Sequence, residues 1–408
     1  MKVPFYPADI LVPQNAEMEK WSVVACDQFT SQPDYWQRVE KFVGEAPSQL
    51  ILILPELYLE ASDSEERIEK INKTMKEYLN GGVFRTLKSC FIYVERELLG
   101  GKIRKGIIGA ADLEEYDYSV GSKSLIRATE GTVVSRIPPR LRVRKNASLE
   151  SPHILILIDD KNKTVIESVN KDKLEKVYDF NLMENSGHIE GYAICDTAPI
   201  LSALEKLLEK TDKSNPLFFA VGDGNHSLAT AKAHWENIKQ GLSEEERKNH
   251  PARYALIELG NLHDDSLVFE PIHRVVFGCD RDNLMKEFAE FYKLSECGNG
   301  QKITVVKGED KKDIYIENPK SNLPVGSLQI FLDEYIKNHG CKIDYIHGDD
   351  VVKKLSGEKE NIGFLLPPMD KSDLYPTVMK DGALPRKTFS MGEACEKRFY
   401  LESRKIVL

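Results

Sequence analysis

The stretch that most constrains this chain is residues 217–240, LFFAVGDGNHSLATAKAHWENIKQ. Residues 217–221 form a short apolar, aromatic run, the pattern of a buried strand. Gly222, Asp223, Gly224, Asn225 and His226 follow as a tight polar turn. Leu228, Ala231, Trp235 and Ile238 then recur at helical spacing, so the chain leaves the turn as an amphipathic helix with Ser227 or Asn225 expected as its N-cap. A strand, a glycine turn and a helix together make an anion site. Gly222 and Gly224 can take positive φ, and the first N–H groups of a helix have no intrahelical partner. Phosphate is the natural guest. Asp223 and His226 place a carboxylate and an imidazole at the same mouth, where a metal ion, a proton or a substrate hydroxyl can be handled. The same local pattern also occurs as an ordinary structural turn in α/β proteins.

A chain of 408 residues has room for two or three domains. Its net charge of −9 argues against a nucleic-acid surface, which needs a basic face to neutralise phosphates. The seven cysteines are scattered without a CxxC pair, so neither a zinc knuckle nor a disulfide framework is indicated, and reduced thiols in the cytoplasm are expected. Residues 1–14, MKVPFYPADILVPQ, have proline and acid where a signal peptide needs a continuous apolar core. The apolar runs at 50–54 and 154–158 are too short to cross a bilayer, so no membrane partner is expected.

In chain order, residues 21–26 and 50–54 read as strands around the polar stretch DQFTSQPDYW, a loop or short helix. A helix capped by Ser62 or Asp63 carries Ile68, Ile71, Met75 and Tyr78 on one face and stops at Gly81 and Gly82. Strands are expected at 89–95, 103–110, 154–158 and 164–169, and a helix at 199–210 leads into the central motif. Residues 116–145 are the most basic stretch, with Arg127, Arg136, Arg140, Arg142 and Arg144. They read either as a solvated strand edge or as a cationic wall for an anionic substrate. Residues 253–259 and 267–276 read as strands. His273 and Arg274, being adjacent, face opposite sides, so at most one reaches a site. Beyond Asp282 come a helix marked by Leu284, Phe288 and Phe291, a hairpin at 303–317, a helix at 327–339 stopped by Gly340, and a strand at 362–366. The composition of the tail at 384–399 does not separate a docking tail from a site loop.

Several of these stretches in this order resemble a known family, domain of unknown function 1015, within the broader ParB and sulfiredoxin-like superfamily. The similar stretches are AVGDGNHSLATA at 220–231, EPIHRVV at 270–276, LPRKT at 384–388 and RATEGT at 127–132. The resemblance implies an α/β (α+β) fold, a mixed sheet with a ParB/sulfiredoxin-like core and a smaller C-terminal α/β region. The expected division is an N-terminal region at 1–200, a motif region at 201–280 and a C-terminal region at 281–408. A distantly similar free serine kinase uses an Asp-Gly-His-His-Arg version of the turn. Asp223, Gly224 and His226 match it, whereas Asn225 stands where it has histidine and Ser227 where it has arginine. The missing clamp then falls to Arg274, Arg127 or Lys387. Without the cysteine of the sulfiredoxin turn, thiol repair is not expected, and no helix-turn-helix supports a DNA-partition role.

The leading expectation is thus a phosphotransferase acting on a small hydroxylated metabolite, serine or phosphoserine first, with Mg²⁺ and ADP or ATP as cofactors. Asp223, His226 and Glu130 are its candidate catalytic residues, and Asp223 its metal ligand. Gly222, Gly224, Asn225, Ser227, Arg127, Thr132, Arg274 and Lys387 are its phosphate- or nucleotide-binding residues. The alternative is a non-catalytic sensor of a nucleotide or phosphorylated metabolite. A phosphorylated small molecule is the expected partner, with self-association into a homo-oligomer left open.

Overall fold

Alternation along the strands is what builds the larger sheet. In the strand Phe84–Glu97, Ile92 and Val94 enter one core while Phe91 and Tyr93 enter the other; in Tyr254–Asn261, Leu256 faces the first, and Ala255, Ile257 and Leu259 the second. A sheet covered on both faces needs apolar side chains at successive positions, which explains the near-continuous apolar runs read in the sequence. The computed structural model describes residues 1–408 and divides them into two units, Met1–Leu267 with Glu393–Leu408, and Val268–Gly392.

The first unit holds an eleven-stranded mixed sheet. Nine of the strands run in the order Glu175–Asn181, His188–Ile194, Phe84–Glu97, Ile103–Asp112, Tyr254–Asn261, Leu155–Ile158, Phe219–Asp223, Ile126–Ala128 and Tyr116–Asp117, while Phe5–Tyr6 pairs with Ile103–Asp112 and Ala8–Pro13 with Phe84–Glu97. The strand Phe219–Asp223 lies antiparallel to Leu155–Ile158 and parallel to Ile126–Ala128. The helix Asn225–Lys239 packs Leu228, Ala231 and Trp235 into the same core as Phe219 and Val221. Burying those side chains, at roughly 1.5–3 kcal/mol for each large one, holds the turn between two well-packed elements.

The expected boundary at 200 falls inside this unit, because Ile194 before it and Ile200 and Leu204 after it share one core. The last sixteen residues also return here, with Ser403 exchanging backbone hydrogen bonds with Leu11 and Phe399–Tyr400 pairing with Val23–Val24. The chain is therefore two units, the first discontinuous, and the three-part division does not describe it.

Three expected strands also differ. Residues 49–52 form a 3-10 turn, capped by the Ser48 hydroxyl, which accepts the Leu50 N–H at 3.1 Å, and Leu52 and Leu54 are buried without joining a sheet. Residues 164–169 form turns around the Asp160 carboxylate, which accepts the backbone N–H groups of Thr164 and Val165. Trp21 ends the helical turn Met18–Trp21, leaving only Val23–Val24 extended. Much of the basic stretch is helical, at Ile137–Lys145.

The second unit has an antiparallel sheet ordered Leu294–Ser295, Asp310–Ile316, Gln301–Lys307, Asn361–Leu365, Glu270–Phe277 and Lys342–His347. The helices Arg281–Phe291 and Pro324–His339 match the periodicity, and Gly340 ends the latter in the left-handed conformation. No helix is long and apolar enough to cross a membrane.

Candidate functional site

The turn forms as its sequence demands, with the two glycines in different roles. Gly224 has φ of +79° and is itself the N-cap, so neither Ser227 nor Asn225 caps the helix. A Cβ there would stand 3.0 Å from the Ile154 Cα, which gives a second reason for glycine. Gly222 lies within the strand, where the pairing register shifts between Val221 and Asp223. The helix therefore opens at Asn225 with its first N–H groups directed past the turn.

Because Ile126–Ala128 runs parallel to the motif strand, Glu130 and Thr132 emerge at the same sheet end as Asp223. Two contacts tie the segments together. Thr129 Oγ1 donates to the Val221 carbonyl at 2.6 Å, and the Val133 N–H donates to His226 Nε2 at 3.4 Å. Thr132 Oγ1 and Asn225 Oδ1 are buried without a hydrogen-bond partner in the protein. Native structures seldom leave such atoms unpaired, which singles out both as polar atoms at the turn still lacking a partner.

Residues far apart in sequence complete the cluster. Asp223 Oδ1 accepts the Gly224 N–H at 2.9 Å, and its Oδ2 lies 3.3 Å from Lys397 Nζ. Ser227, expected to cap, instead turns its hydroxyl toward His153 Nε2 at 3.4 Å. The same ring nitrogen lies 3.6 Å from Asp27 Oδ2, while His153 Nδ1 meets the Tyr400 hydroxyl at 2.7 Å. The Tyr400 hydroxyl in turn donates to Cys26 Sγ at 3.0 Å.

These neighbours set the protonation states. Burial pushes His153 toward neutrality, but the Asp27 carboxylate, helped by Asp223, overrides it and raises the imidazole above its ordinary value. Burial works against the charge on Asp27 as well, yet His153 and then Lys397 hold this carboxyl below the usual range. His226 has the opposite fate. Burial first, then Arg140 and Arg136, push it down to about 4, so it is neutral at physiological pH. Burial drives the Cys26 thiol up to about 12, so a thiolate nucleophile is not available there.

Other expected residues serve elsewhere. Arg127 is 3% exposed, and its guanidinium is spent on the Ser124 and Pro216 carbonyls and on Asn215 Oδ1 at 2.7 Å. Of the basic stretch 116–145, Arg140 pairs with Glu56, Arg142 with Glu65 and Arg144 with Glu150, while Arg140 and Arg136 also supply positive charge felt at His226. In the second unit Arg274 is fully buried, donating to Gln329 Oε1 at 3.2 Å and to the carbonyls of Ile272, Lys387 and Arg386. Its neighbour His273 is also buried, with Nδ1 accepting the Leu366 N–H, so both residues of the pair are internal to that unit. Lys387 is exposed, at φ of +58°.

The donor set at Asp223 does not fit Mg²⁺. One oxygen is held by the Gly224 N–H and the other by Lys397, and an ion would have to displace that ammonium. Sequence reasoning missed Asp27, His153, Lys397 and Tyr400. Asp27 opens the segment read as a loop or short helix, and Lys397 lies in the tail whose role composition leaves open; only long-range pairing brings them to the turn.

A search of the curated proteins finds no match. Among solved structures, a conserved hypothetical protein from Pyrococcus furiosus aligns at TM-score 0.38 and 11% identity, covering 73% of this chain and 94% of that one. A free serine kinase in complex with AMP aligns at 0.39 and 11%, covering 73% and 91%. SbnI from Staphylococcus aureus, truncated at its C-terminus, aligns at 0.34 and 10%, covering 74% and 82%. At this level of similarity neither site nor activity transfers. The family match is of another order: the model for the protein family of unknown function DUF1015 covers residues 6–336, and this chain belongs to that family.

Proposed function

We propose that the first unit handles a phosphorylated small molecule at the mouth of the helix Asn225–Lys239. In this reading a phosphoryl group is transferred to or from a small hydroxylated metabolite, with serine or phosphoserine the first substrates to test and ADP or ATP the first phosphoryl partners. The observation that carries it is geometric: the open N-terminus of the helix at Asn225 faces the mouth where Lys397 Nζ lies 3.3 Å from Asp223 Oδ2, and Arg136 and the Glu56-paired Arg140 add positive charge there. The helix N–H groups and Lys397 would hold phosphate oxygens, and Thr132 would donate its hydroxyl hydrogen. His153, raised above its ordinary value by Asp27, would give a proton to the metabolite's hydroxyl oxygen as its bond to phosphorus breaks and a new P–O bond forms to a terminal phosphate oxygen of ADP, and would take it back in the reverse direction. Asp223, already paired with Lys397, serves to position that cation.

The non-catalytic sensor remains the second reading, favoured by the same Asp223–Lys397 pair, which leaves Asp223 without a free carboxylate to act as base. Phosphorus NMR of the full chain decides between them, using phosphoserine with ADP or AMP, and serine with ATP, each with and without Mg²⁺. Phosphate exchange abolished by His153→Gln supports the enzyme. Ligand broadening without new signals, unchanged by that substitution, supports the sensor. Spectra unaltered by the protein would end the phosphate reading.

A further inference from the structure

We infer that the ligand of this site carries a ring-sized apolar group as well as its phosphate, and that a cavity beside the turn receives it. The inference rests on the phosphate reading and narrows its substrate class. A cavity of about 160 Å³ lies within the first unit. Leu54, Met75, Val143 and Leu149 are among its apolar walls. His153, Ser227 and Arg140 also line it, and these are the residues that touch the helix N-terminus or charge it, so the cavity and the anion site share a wall.

Size and polarity set the occupant. An apolar cavity of roughly 150 Å³ is enough to take one benzene molecule, and small-molecule sites are typically apolar pockets with a few placed polar groups. Serine's side chain, a single hydroxymethyl, would leave the cavity unfilled. The volume and the apolar lining therefore set the class as a phosphate ester of an aromatic or heteroaromatic compound.

Calorimetric titration of the full chain with phenyl phosphate, inorganic phosphate and phosphoserine tests this. Phenyl phosphate should bind about tenfold or more tightly than the other two, since the ring leaves water on binding. Ala147→Met and Leu54→Phe, which fill the cavity, should remove that advantage while leaving inorganic phosphate affinity unchanged. Thermal melting checks that both variants fold. Should neither fold, nuclear Overhauser contacts in the wild-type protein between the ring protons and the Met75 methyl serve instead, and their absence overturns the inference. Equal affinities for all three ligands overturn the cavity assignment and leave the phosphate site standing. Failure of every ligand to bind overturns both.

Discussion

Replacing Gly224 by alanine probes the turn at its most constrained point. The left-handed backbone at φ of +79° costs an L-residue roughly 1–2 kcal/mol. The new Cβ would also lie 3.0 Å from the Ile154 Cα, a backbone atom that cannot rotate away. Moving that strand end adds about 1 kcal/mol or more, the usual cost of overpacking. The expected destabilisation is therefore about 2–3 kcal/mol, read as a lower urea midpoint at unchanged m. Gly131→Ala is the matched control, because its new Cβ would meet no atom within 4 Å and its φ is not positive. It should stay within about 0.5 kcal/mol of the parent, or gain slightly from a less flexible unfolded chain. If both variants cost the same, or if Gly224→Ala is neutral, the account of the turn is wrong.

Four further outcomes rest on the geometry. His226 and His234, each pushed down to about 4 from an ordinary 6.5, bind protons more readily in the unfolded chain. Stability should therefore fall as pH drops from about 6.5 toward 4, by on the order of 1–2 kcal/mol per histidine once the partial exposure of both rings is allowed for, and neither imidazole should titrate above pH 5 by NMR. Arg140→Met should raise the His226 pKa by removing the largest charge acting on it; no movement would refute that cause. Lys397→Met should weaken inorganic phosphate binding about tenfold, equivalent to ~1.4 kcal/mol, and unchanged calorimetric affinity would remove Lys397 from the site. Arg274→Met strands the carbonyl acceptors of residues 272, 386 and 387, so equilibrium unfolding should show a loss of about 3 kcal/mol in the second unit.

The sequence determined by itself what local physics controls. Residues 217–240 encode strand, turn and helix through apolar periodicity and one obligatory left-handed glycine, and the hairpin at 301–316 and the stop at Gly340 are equally local. Even so, the apolar runs at 50–54 and 164–169 look like strands and are not, because burial alone does not choose between an extended strand and a compact turn. Tertiary structure decided which charges meet at the turn. The carbonyls of Ser124 and Pro216 claim Arg127, and the carbonyls of residues 272, 386 and 387 claim Arg274. Lys397 reaches Asp223 only because the last sixteen residues return to the first unit and pair there with Leu11 and with Val23–Val24. Likewise Asp27 meets His153 across more than a hundred residues of sequence. A spacing pattern is blind to such partners, since hydrogen bonds and ion pairs depend on distance in space, which is set by the sheet order rather than by position along the chain.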